Sequence, residues 1–69
     1  MTKEKRIDNI MSIMLRHYED AKKHNNFYEL VLASYYLGKL MEADKSIGKM
    51  YINQIKDLAI KFDFLEEDE

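Results

Sequence analysis

The chain has 69 residues, no cysteine and no proline, a length that allows one small core and a composition that excludes disulfides and thiolate metal sites as its supports. With 46% hydrophobic residues it is too apolar to be disordered, and it has no apolar run long enough to cross a membrane. The formal net charge of −2 is uneven: Asp63, Glu66, Glu67, Asp68 and Glu69 carry −5, so residues 1–62 carry +3, weaker than the concentrated basic stripe of most nucleic-acid-binding domains.

Met1-Thr2-Lys3-Glu4-Lys5-Arg6 leads into no unbroken apolar segment, so no secretory signal is expected. Together with the missing cysteines, this favours a cytoplasmic location. The first helix is expected over about 3–24. Ile7, Ile10, Met11, Met14, Tyr18 and Ala21 recur in steps of three and four, which places them on one stripe. Thr2 can cap its start, and Lys22, Lys23 and His24 suit the negative end of its dipole.

Asn25-Asn26 predicts a break, because asparagine tolerates the left-handed conformation that ends a helix. Asn26 followed by Glu29 has the form of a capping box. So short a turn predicts an antiparallel hairpin of helices.

The second helix is expected over about 27–42. One face carries Phe27, Leu30, Val31, Ser34, Leu37, Gly38 and Met41; the other carries Tyr28, Leu32, Tyr35 and Tyr36. No residue from Leu30 to Leu37 is charged. A helix that is apolar nearly all round needs cover on most sides, so it is either the central element or a surface that meets another chain.

The third helix is expected from Asp44 or Ser46, with a stripe of Ile47, Met50, Tyr51, Ile55, Leu58, Phe62 and Leu65. Glu42-Ala43-Asp44-Lys45 contains neither glycine nor proline, so one long bent helix is the alternative. Met11, Met14, Met41 and Met50 are expected to fill the core. Residues 1–65 then form a single helical domain. The acidic tail 66–69 is expected to be mobile, since negative charge opposes the dipole at a helix C-terminus. The predicted fold is all-α: a small three-helix bundle, a hairpin plus a third helix, with dimerisation as one way to complete it.

Little in the chain points to chemistry. His17, Asp20 and His24 fall on one helical face but lack a fourth ligand, so no metal site is expected. Ser12, Ser34 and Ser46 have no nucleophile elbow, Glu19 and Asp20 point to different sides of a helix, and no glycine-rich loop is present. No enzymatic activity, cofactor or small-molecule substrate is expected.

The tyrosines carry more. Tyr28, Leu32, Tyr35 and Tyr36 are the candidate protein interface, because tyrosine offers large contact area and a polar tip at low entropic cost. The expected partner is another protein, a second copy, or both. The runner-up is nucleic acid, met by Lys45, Lys49 and Lys56 of the third helix.

Tyr35-Tyr36-Leu37-Gly38-Lys39-Leu40 is similar to the Leu-Gly pattern in the first helix of a tetratricopeptide repeat. Met50 and Asp57 stand where that repeat has small residues, and one partial repeat cannot stack on neighbours, so no family is assigned. In size, lysine and asparagine content and lack of chemistry, the chain resembles small phage and mobile-element proteins that block host enzymes or defence complexes, as anti-CRISPR proteins do. The expected function is therefore non-enzymatic binding and inhibition or regulation of a partner protein, with a small helical transcriptional regulator as the alternative.

Overall fold

A computed structural model of the chain describes residues 2–63. Those residues form three helices, α1 (Lys3–His24), α2 (Phe27–Ala43) and α3 (Lys45–Lys61). The fold is a small all-helical bundle, and none of its helices is long and apolar enough to cross a membrane. Leu65 and the acidic tail 66–69 lie outside the described residues.

Each boundary has a local cause. The Thr2 hydroxyl accepts from the Lys5 amide at 3.2 Å, satisfying one free donor of the first turn. Asn25 ends α1 in the left-handed region, at φ 51° and ψ 43°. The Asn26 side-chain oxygen then accepts from the amides of Tyr28 and Glu29, at 3.0 and 3.3 Å. Only half of the expected capping box forms. The Asn26 amide donates to the Ala21 carbonyl at 3.1 Å, and the Glu29 carboxylate pairs with His17 instead.

Asp44 decides between two helices and one bent helix. Its backbone is extended, at φ −155° and ψ 104°, which no helix accommodates. Its amide closes α2 on the Leu40 carbonyl at 2.7 Å. Its carboxylate opens α3 by accepting from the Ile47 amide at 3.2 Å. One residue thus stops one helix and starts the next without glycine or proline, so the alternative of a single long helix does not hold.

The core is built from Ile7, Met14 and Ala21 of α1, Leu30, Ala33 and Leu40 of α2, and Ile55, Leu58 and Ala59 of α3. Helix α2 packs against both other helices, which touch each other less. The Tyr51 hydroxyl of α3 donates to the Met11 sulfur of α1 at 3.3 Å. The Cα trace measures 39 × 27 × 13 Å. Helices pack about 8–10 Å apart, so the short dimension holds two layers and no third.

The expected face of α2 is turned from where the periodicity put it, and one residue of the α3 stripe, Met50, departs while Ile47, Tyr51, Ile55, Leu58 and Phe62 lie in or against the core. On α2 the buried line runs through Leu30, Ala33 and Leu40, while Phe27, Val31, Ser34 and Gly38 face outward. The small Ala33 is fully buried on this line. On α3, Gly48 is buried against α2. A Cβ there would collide with the Cγ of Met41 and lie 3.0 Å from its Cα. Residues two apart on a helix point to nearly opposite sides, so Met50 is turned outward and is 69% exposed. It does not fill the core; Met14 does, and it is fully buried.

Gly48→Ala therefore forces the α2–α3 contact apart. Overpacking of this kind costs about 1–3 kcal/mol, against about 1 kcal/mol gained from the better helix former. The expected net effect is a lower urea midpoint at unchanged helical content; a raised midpoint would show that the contact relaxes freely.

Candidate functional site: the outer face of the second helix

Helix α2 is covered by α1 and α3, and the side opposite its core line is left open. Phe27, Tyr28, Val31, Leu32 and Tyr35 are all exposed large apolar residues on this one helix, opposite its core line. Tyr28 is 77% exposed and Tyr35 56%. The two tyrosines are seven residues apart, two helical turns, so they stand one above the other. The stretch from Leu30 to Leu37 carries no charge. The Ser34 hydroxyl within it donates to the Leu30 carbonyl of its own helix at 3.0 Å, so that donor needs nothing from outside.

The aromatic rings are held by neighbours. Phe27 and Tyr28 meet edge to face with centroids 6.0 Å apart. Tyr35 meets Tyr36 the same way at 5.2 Å. The Lys39 ammonium lies 5.5 Å from the centre of the Tyr35 ring and 3.9 Å from the Glu42 carboxylate. Lys39 and Glu42 form the polar edge of the face at its C-terminal end.

The four residues singled out in the sequence do not share one environment. Tyr28, Leu32 and Tyr35 stand together on the exposed face. Tyr36 is half-buried in the seam with α1, stacked on His17 with centroids 5.8 Å apart and the rings 10° from parallel. His17 Nδ1 also pairs with the Glu29 carboxylate, so α1 and α2 are tied beneath the face by one histidine with two partners. The sequence pattern missed Phe27 and Val31 as members of the face. The pairing of Tyr28 with Tyr35 at heptad spacing was the signal that could have phased it.

Other candidates are less gathered. Among the described residues no group of three or more His, Cys, Asp or Glu side chains is placed to hold a metal ion, and His17 is turned to Glu29 rather than to Asp20 and His24. Lys45, Lys49 and Lys56 are all exposed, and their spacings of four and seven residues put them along one line of α3. No family model, curated protein or solved structure matches the chain.

The division between Tyr36 and Tyr28 is measurable. Tyr36→Ala removes a ring from the α1–α2 seam and should lower the unfolding free energy by about 2 kcal/mol. Tyr28→Ala should change it by less than about 0.5 kcal/mol. Urea unfolding followed by circular dichroism distinguishes them, and equal losses would place Tyr28 in the core.

Proposed function

We propose that the protein is a non-enzymatic, cytoplasmic interaction module that docks the outer face of α2 onto another protein and thereby inhibits or regulates it. The manner is that of small phage or mobile-element inhibitors such as anti-CRISPR proteins. One observation carries the reading: Phe27, Tyr28, Val31, Leu32 and Tyr35 are exposed together on one helix. With aromatic side chains at about 150–250 Å² each, the face offers on the order of 500 Å². Apolar patches of roughly 300–600 Å² are the largest that typical monomers carry, and they are often functional. Tyr28 and Tyr35 supply anchors with few rotatable bonds, and Lys39 and Glu42 make a polar rim.

The test compares immobilised wild-type protein with the Tyr28→Ala/Tyr35→Ala double variant in the same cell extract. The reading expects a protein retained by the wild type and lost from the variant, with the helical circular dichroism unchanged. Equal retention by both would sink it.

The line of Lys45, Lys49 and Lys56 supports a second reading, a small nucleic-acid-binding regulator. It expects binding to duplex DNA that weakens with salt, with the logarithmic salt slope reduced by about two in Lys49→Gln/Lys56→Gln. Absence of binding at low salt removes this reading.

A further inference from the structure

Among the described residues nothing packs against the bare Cα of Gly38. It lies in the interior of α2, exposed, and a Cβ built on it would meet nothing within 4 Å. Glycine at such a position weakens a helix relative to alanine. Gly48, by contrast, is required by the backbone of Met41. The bare position of Gly38 lies on the apolar face described above.

The positions along that face, Phe27 apart, pair about one residue, as positions on one helix face do. Tyr28, Val31, Leu32, Tyr35, Gly38, Lys39 and Glu42 fall at seven, four and three positions on either side of Tyr35. A two-fold axis beside Tyr35, perpendicular to α2, therefore lays the face onto itself with the helices antiparallel. Leu32 of one copy then meets the gap at Gly38 of the other, twice. Tyr28 meets Glu42, so that a phenol O–H can donate to a carboxylate. Val31 meets the methylene stem of Lys39, whose ammonium stays at the rim. Tyr35 meets its own copy on the axis. The uncharged stretch from Leu30 to Leu37 means that no charge is buried at the centre.

We infer that the outer face of α2 is covered by a second copy of this chain, in an antiparallel two-fold pair centred on Tyr35 in which Leu32 packs over Gly38. The inference rests on reading this face as a protein-binding surface, and it names the occupant. Two faces on the order of 500 Å² each bury about 1,000 Å², the lower bound of a specific interface. The pair is accordingly a weak one, with dissociation at about micromolar concentration or above. Antiparallel packing also sets each helix N-terminus beside the other's C-terminus, the favourable arrangement of dipoles.

The experiment uses the full chain at increasing concentration, with its mass read by light scattering or sedimentation. The wild type should pass from monomer to dimer. Gly38→Gln fills the gap and sets an amide against Leu32. It should weaken association by about tenfold while raising the melting temperature of the dilute monomer by about 4 °C, because the helix gains a better residue. Since the chain has no cysteine, single introduced thiols report the register. Tyr35→Cys sits on the axis and should oxidise to a linked dimer. Tyr28→Cys should not, because at 1.5 Å per residue the two sites lie roughly 20 Å apart. A wild type that stays monomeric overturns the inference and leaves the face to a foreign protein, which the capture experiment decides separately. A dimer that Gly38→Gln leaves intact, or that Tyr28→Cys links as readily as Tyr35→Cys, overturns this arrangement.

Discussion

A helix that is apolar on nearly every side needs neighbours on nearly every side, and this chain supplies two. Helix α2 takes α1 along one flank and α3 along another, and the contacts it makes are as close as side chains allow. Ala21 and Ala33 are fully buried, and at Gly48 the α3 backbone approaches Met41 with no side chain between them. Small residues at these crossings bring large ones, Met14, Leu30 and Leu40, into full burial. What they cannot do is wrap a second layer around α2 in a molecule 13 Å thick. Phe27, Tyr28, Val31, Leu32 and Tyr35 are left exposed on the side of α2 that α1 and α3 do not cover.

The face is bare but not loose. Tyr35 rests edge-on against Tyr36, Tyr36 is stacked on His17, and His17 is paired with Glu29. These contacts tie α2 to α1 through the ring next to the exposed one. A surface held this way would lose less freedom on docking than one carried on a loop. The same chain of contacts explains why adjacent tyrosines differ in role. Positions 35 and 36 are 100° apart on a helix, enough to send one ring to the seam and the other to the surface.

Much of the fold was legible because its punctuation is local. Thr2, Asn25, Asn26 and Asp44 act on amides within a few residues of themselves, so their side-chain chemistry announces where helices begin and end. The span 3–24 for the first helix follows from such signals together with its apolar stripe. Rotation was not legible on α2, where apolar residues occupy both faces and their periodicity has no phase. It depends on packing against neighbours distant in sequence. Met50 fits the spacing of the α3 stripe, yet it is turned outward because Gly48, two positions earlier, claims the inward direction. Of the candidate interface, Tyr28, Leu32 and Tyr35 were nameable from composition and charge. The separation of Tyr36 from them needed the position of His17 on another helix.

The two surfaces proposed for partners do not overlap. The apolar face lies on α2, and the lysine line of Lys45, Lys49 and Lys56 lies on α3 beyond the corner at Asp44. A partner that covers α2 leaves those lysines free, and a polyanion along α3 leaves Tyr28 and Tyr35 free. The inferred self-pairing through α2 would compete only with a protein partner on that face. It would shield the aromatic anchors at high concentration and release them on dilution. The pair would carry two lysine lines related by a two-fold axis, the symmetry that duplex half-sites share. Pairing through one surface would thus set how the other is displayed.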